Sequence, residues 1–282
     1  MIVPYRNEAS HIGACSEALE RQSLGRGRYE VLFVDNRSTD RTSELIPAGP
    51  GVSLIREEGP GAYAARNAAI RRARGQFIAF TDGDCAPATD WLEQAREAMQ
   101  ATGAAIVLGQ RNSPAGGPLG VRLLEDYENA KLEYALTRLP PRYVFGWCCN
   151  MIVRASVFGR VGLFDEWERA ADTAYLHRVI RHEPSGLIVF RPSLRVTHLG
   201  TRSTGQALLK LFVYGASNTR AARQGGYSPL DMRQRWALWR RCSRNPRYRA
   251  GDRFLLFCLL AAGGLLYKLG EVKGQLSGRI TS

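Results

Sequence analysis

Short apolar runs alternate with helix-spaced segments through the first third of the chain. Ile2-Val3 opens one run, Val31-Leu32-Phe33-Val34 is a second, Val52-Ser53-Leu54-Ile55 a third and Phe77-Ile78-Ala79-Phe80 a fourth. Between the first two, Ile12, Cys15 and Leu19 recur at helical spacing and predict a helix over residues 12–22. Ser38, Thr39 and Asp40 carry N-cap chemistry and predict another helix over residues 41–46. Gly59-Pro60-Gly61 breaks the chain before an alanine-rich helical segment over residues 62–73. Repeated strand–helix units of this kind predict a Rossmann-type α/β fold, with a mostly parallel sheet, right-handed crossovers and flanking helices.

The fourth run ends in Thr81-Asp82-Gly83-Asp84, two carboxylates separated by a single glycine. Ligands gather at the carboxyl ends of parallel strands. Paired acids there repel each other unless a cation offsets them. A hard divalent ion, Mn2+ or Mg2+, suits such oxygen ligands and commonly bridges protein carboxylates to a substrate diphosphate. The second run ends in Asp35, so the same reading puts Asp35 and Asp82 on one rim of the sheet, as in a nucleotide site.

Val3-Pro4-Tyr5-Arg6-Asn7-Glu8, Val34-Asp35-Asn36-Arg37-Ser38-Thr39-Asp40, Gly61 through Arg66-Asn67-Ala68-Ala69-Ile70, and Phe80-Thr81-Asp82-Gly83-Asp84 follow one another in order. Gly162-Leu163-Phe164-Asp165-Glu166, Asp172 and His198 come after them. With this ordered set, the chain resembles the inverting family 2 glycosyltransferases of the GT-A fold over roughly residues 1–200.

The resemblance implies a role for each matching residue. Pro4, Arg6, Glu8, Asp35, Arg66 and Asp82 would surround the nucleotide, with Pro4 and Asp35 at the base and Asp82 on the ribose side. Asp84 would hold the metal with Asp82, and His198 would reach the metal or the diphosphate. An imidazole ligand favours Mn2+ over Mg2+. Inverting transfer needs a base to take the acceptor hydroxyl's proton, and Asp172 matches that position. Ala171 stands where the family usually has a glutamate. Trp147, which could stack on a sugar, and Asn150 are expected on the acceptor side. The donor implied is a nucleoside diphosphate sugar, with a UDP-sugar favoured, and the acceptor a glycan or lipid-linked species. The glutamine that opens the QxxRW motif of processive synthases is replaced by Met232, which argues against a polymer-extruding enzyme.

Charge changes the picture at the C-terminus. From Gly200 onward there are 15 Lys and Arg against 3 Asp and Glu, a net +12 of the chain's +13. Within that region residues 254–267 form a 14-residue stretch without a charge, shorter than the roughly 20 residues that span a bilayer. Basic and apolar together suit an anionic membrane surface. The expected organisation is therefore a catalytic domain over residues 1–200 and a basic, partly apolar helical region over 201–282. The expected location is cytoplasmic, peripheral on the inner face of the cell membrane. The six cysteines lack metal-ligand spacing, and no signal peptide precedes the first strand, which fits a reducing compartment. A cut after about residue 224 is expected to leave a soluble, donor-binding chain. A mixed-charge helix over residues 119–139 is read as solvated surface. Two other classes fit less well. A nucleotidyltransferase should carry a Gly-rich, Lys-bearing phosphate loop near the N-terminus. A nucleic-acid-binding protein would explain the basic tail and leave the ordered acids without a role, so no nucleic-acid partner is expected.

Overall fold

The structure is a computed structural model that describes residues 1–166, 169–183 and 187–280. In chain order the main elements are β1 (Ile2–Tyr5), α1 (Ile12–Glu20), β2 (Val31–Asp35), β3 (Val52–Arg56), α2 (Ala62–Ile70), β4 (Phe77–Phe80), β5 (Cys85–Pro87), α3 (Trp91–Thr102), β6 (Ile106–Asn112) and α4 (Leu119–Arg138). They continue with β7 (Met151–Arg154), α5 (Ala155–Val161), α6 (Ala171–His182), β8 (Ile188–His198), α7 (Thr204–Gly225), α8 (Met232–Ser243) and α9 (Ala250–Ile280). The segment 41–46 winds into a short 3-10 turn, Thr42–Leu45, in place of the expected helix. Asp40 takes the Thr42 amide onto its carboxylate at 3.1 Å, local bonding that competes with helix continuation.

The strands form one sheet in the order β3-β2-β1-β4-β7-β6-β8-β5. β1 runs parallel to β2 and β4, and β2 parallel to β3. Beyond β4 the pairs β4–β7, β7–β6 and β8–β5 are antiparallel. Val31 to Val34 are buried throughout, as a central parallel strand covered on both faces must be. The parallel register sets Tyr5 opposite Asp35, and the Gly83 amide donates to Pro4 O at 3.3 Å. β2 and β4 therefore deliver their terminal acids to the same edge.

The chain divides into two compact units. The first comprises Met1–Arg111 and Gly146–Gly200, the second Asn112–Phe145 and Thr201–Ser282. The first unit holds the sheet and a core that includes Val3, Ile12, Leu19, Phe33, Trp91, Met99 and Ile152.

In the second unit α4 packs with the C-terminal helices. Leu123 and Tyr127 share a core with Leu230, Leu238, Tyr248 and Leu256. The expectation of a solvated α4 is corrected here. Glu125 is buried, Asp126 accepts the Tyr248 hydroxyl at 2.7 Å, and Glu133 pairs with Arg241 at 2.9 Å. Helices α7 and α9 meet backbone to backbone. A Cβ on Gly215 would collide with Tyr267 O, and one on Gly270 with Phe212 O. The uncharged stretch at 254–267 turns out to be part of a single 31-residue helix, α9. By length and composition Ala250–Leu276 is long and apolar enough to cross a membrane, which the 14-residue stretch alone is not.

Candidate active site

The nucleotide end of the rim is built from two loops tied together by side chains. Asn7 and Arg37 adopt left-handed backbone angles, with φ of 56° and 65°, which turn the chain sharply after β1 and β2. The Asn7 side-chain oxygen accepts the Thr39 amide at 2.8 Å, and the Glu8 amide donates to Thr42 Oγ1 at 2.9 Å. Asp35 is half-buried, with one oxygen accepting the Ser38 amide at 2.8 Å and the other 3.4 Å from Ser43 Oγ. Pro4 is buried in β1, while Arg6 is exposed beyond its end.

The four Asp82, Arg66, Asp84 and His198 side chains form two pairs beside this rim. Arg66, almost fully buried on α2, donates through Nη2 to Asp82 Oδ1 and lies with its guanidinium 5.1 Å from the Tyr63 ring centroid. Asp84 Oδ2 lies 3.4 Å from His198 Nε2, and both side chains are mostly buried. The strand pair β5–β8 sets this contact, with Cys85 opposite His198 and the Leu199 amide donating to Asp84 O at 2.7 Å. Gly200 leaves room for it: a Cβ there would collide with Asp84 Oδ2 and stand 3.2 Å from His198 Cε1. Glu8 lies near both acids. Burial raises its carboxyl above the ordinary value, its hydrogen bond with His11 at 2.9 Å opposes this, and the charges of Asp84 and Asp82 add to the rise.

This donor set fits a divalent ion. Two neighbouring ligands of an octahedral ion with bonds of about 2.1 Å stand roughly 3 Å apart, close to the separation of Asp84 Oδ2 and His198 Nε2. Among the described residues no three His, Cys, Asp or Glu side chains close into a metal cage. Positions left open by the protein are those a diphosphate and water fill in Mg2+ and Mn2+ sites.

Asp172 stands in the first turn of α6, just after Ala170, whose φ of 66° is left-handed for a residue with a Cβ. That kink carries a strain cost. Asn67 clamps Phe164 from both sides, accepting its amide at 3.1 Å and donating to its carbonyl at 2.8 Å. Phe164 in turn packs on Tyr175 of α6, with ring centroids 4.6 Å apart. Burial raises the Asp172 carboxyl above the ordinary range, against the Thr173 amide, the Arg66 charge and the Tyr63 hydroxyl. Arg66 thus feels both Asp82 and Asp172, which relates the two ends of the site through one cation.

Trp147 is half-buried, with the Arg111 guanidinium 4.7 Å from its ring centroid. Asn150, expected beside it on the acceptor side, has no exposed surface. Its amide accepts Trp91 Nε1–H at 2.8 Å and donates to Gln110 O and Leu194 O at 2.8 and 2.9 Å. Those bonds leave it a core-bracing job. The sequence reading missed Gly200 and the clamp made by Asn67. Asn67 lies inside the Arg66-Asn67-Ala68-Ala69-Ile70 motif, and a glycine two residues after His198 carries no signal distinct from a turn.

The chain belongs to glycosyl transferase family 2, whose profile it matches over residues 1–162. It is a glycosyltransferase of the GT-A fold. It is 32% identical over 208 residues to Glycosyltransferase AglE of Haloferax volcanii, spanning 68% of this chain and 67% of that protein. It is 31% identical over 137 residues to the succinoglycan biosynthesis protein ExoO of Rhizobium meliloti, which is 47% of this chain and 38% of that one. Among solved structures it is similar to the mannosyltransferase PcManGT from Pyrobaculum calidifontis in complex with GDP-Man and Mn2+. That match has a TM-score of 0.60 and 18% identity over 99% of this chain and 79% of that one. Staphylococcus aureus TarS 1-349 in complex with UDP-GlcNAc superposes with a TM-score of 0.52 and 16% identity, covering 98% of this chain and 91% of that one.

Proposed function

We propose that this glycosyltransferase moves one sugar, with inversion, from a nucleoside diphosphate sugar to a glycan or lipid-linked acceptor at the inner face of a membrane. Asp84 and His198, supported by Asp82, would hold Mn2+ or Mg2+, with the imidazole favouring Mn2+. When bound, the ion neutralises charge developing on the departing diphosphate. Asp35 and Pro4 flank the base, and Arg66 fixes Asp82. The acceptor oxygen attacks the anomeric carbon and gives its proton to Asp172. The bond from that carbon to the diphosphate oxygen breaks, and its electron pair leaves with the diphosphate. A base with a raised pKa suits this task near neutral pH. Trp147, half-buried, is the ring assigned to stack on a sugar on the acceptor side.

The observation that carries the reading is the Asp84–His198 approach at 3.4 Å on the rim where Asp82 also stands. Nucleotide-sugar complexes of the similar TarS and PcManGT structures support a donor of this class. They carry both UDP and GDP sugars, so the preference for UDP remains part of this proposal. A thermal-shift screen of UDP and GDP with Mn2+, Mg2+ or EDTA tests it. A ligand at about 100 times its dissociation constant adds roughly 2.7 kcal/mol, so a metal-dependent rise in Tm is expected with at least one nucleotide. No rise with any pair would contradict the reading.

A further inference from the structure

Helix α9 carries an apolar stripe that the second unit leaves exposed. Phe254, Cys258, Leu265, Leu269, Val272 and Leu276 follow one another on one face, at spacings built from threes and fours, and all are exposed. Phe254 is 70% exposed, Leu265 64% and Leu276 58%. From residue 254 to 276 a helix rises about 33 Å. The opposite face is occupied, since Leu256 and Leu259 are buried and Gly270 meets α7. At its N-terminal end the stripe joins an aromatic run on α8. Trp236, 51% exposed, stacks on Trp239 at 4.7 Å, and Trp239 meets Phe257 edge-on at 5.9 Å. Exposed arginines Arg233, Arg240 and Arg244 lie on and just after the same helix.

We propose that α9 lies flat in the surface of an anionic membrane, its stripe in the acyl boundary and the α8 arginines against the headgroup phosphates. This deepens the membrane placement proposed above and does not depend on the sugar chemistry. A contiguous exposed apolar face of this length marks a contact surface, and three features select lipid as its occupant. Exposed tryptophan suits the headgroup boundary. The charge of the region, +12 from Gly200 onward, complements anionic lipid. A second copy fits poorly, because the stripe is flanked by Arg253 and Lys273, and Lys268 already pairs with Glu271 on its own helix at 2.6 Å. Crossing the bilayer would pull Leu256 out of the core it shares with Leu123, Tyr127 and Leu238 and bury Lys268, Glu271 and Lys273 in hydrocarbon.

The full chain is tested against phosphatidylcholine vesicles with and without 30% phosphatidylglycerol. Strong co-sedimentation with the anionic vesicles is expected, partly lost at high salt, with quenching of tryptophan emission by lipids brominated near the headgroup. The double substitution Leu265→Glu and Leu269→Glu, at two exposed sites, should weaken vesicle binding at least tenfold. It should leave the melting temperature and nucleotide affinity unchanged. Leu54→Glu, an equally exposed leucine on β3, should have no effect. No vesicle binding, or full binding by the double variant, would overturn the proposal. So would a dimer that the double substitution dissociates, or extraction by detergent alone. Nucleotide affinity measured in parallel keeps a failure of this surface separate from a failure of the catalytic reading.

Discussion

Asp84 and His198 meet at 3.4 Å although 114 positions separate them in the chain. β5 and β8 bring them together by pairing Cys85 with His198. The contact survives only because Gly200 offers no side chain, since a Cβ there would strike the Asp84 carboxylate. Gly200→Ala should therefore displace Asp84 and weaken Mn2+-dependent nucleotide binding at least tenfold, read by calorimetry, with little change in fold. Gly159→Ala, where a Cβ meets open space, is the control. Equal nucleotide affinity in both variants would show that the pair does not hold the ion.

Asp172 separates binding from chemistry. Asp172→Asn keeps the shape and removes the proposed base, so donor affinity should hold while kcat falls roughly 10²–10⁴-fold. Near-normal turnover would refute the assignment.

The same residue gives a signed pH effect. Burial raises the Asp172 carboxyl in the folded chain, so its contribution to stability is full below the ordinary carboxylate pKa and is lost as pH rises through the raised value. Thermal melts of Asp172→Asn and the native chain should diverge in favour of the variant across that window. Parallel melting curves at all pH values would count against a buried, ionising Asp172.

Asn150 should behave as a brace. Asn150→Ala takes its partner from Trp91 Nε1–H and the Leu194 carbonyl in the core and from the half-buried Gln110 carbonyl, at a cost of roughly 2–4 kcal/mol. A fall in Tm of several degrees with unchanged acceptor KM is expected. Unchanged stability with a raised acceptor KM would return Asn150 to the acceptor side.

The sheet of the first unit was legible because its signals are local. The run from Phe77 to Phe80 shows the strand by itself, and Asp82 and Asp84 follow within four residues. β7 pairs with β4 across more than seventy positions, and nothing local at Met151 announces that partner or the antiparallel direction. α4 misleads for a similar reason. Its charged residues look solvated in sequence, yet Asp126 and Glu133 are answered by Tyr248 and Arg241 from far along the chain. In α9, Gly263 sits against Leu211 of α7, a contact between distant segments in which close packing offsets the usual helix cost of a glycine.

That packing changes the outlook for a shortened chain. Ending after residue 224 removes α8 and α9 and uncovers Leu123 and Tyr127 on α4. The truncated protein should aggregate or lose its cooperative melt, against the sequence-based expectation of a soluble remnant. A soluble, sharply melting product would show that α4 does not depend on the C-terminal helices.

The most direct test of the proposed metal-dependent donor site is electron paramagnetic resonance of Mn2+ titrated with UDP or GDP in the presence of the protein. The native chain should quench the free-ion signal beyond what nucleotide alone achieves, with Asp84→Ala and His198→Ala each abolishing most of that excess. Undiminished Mn2+ uptake by both variants, or nucleotide binding that is equally tight in EDTA, would contradict the account.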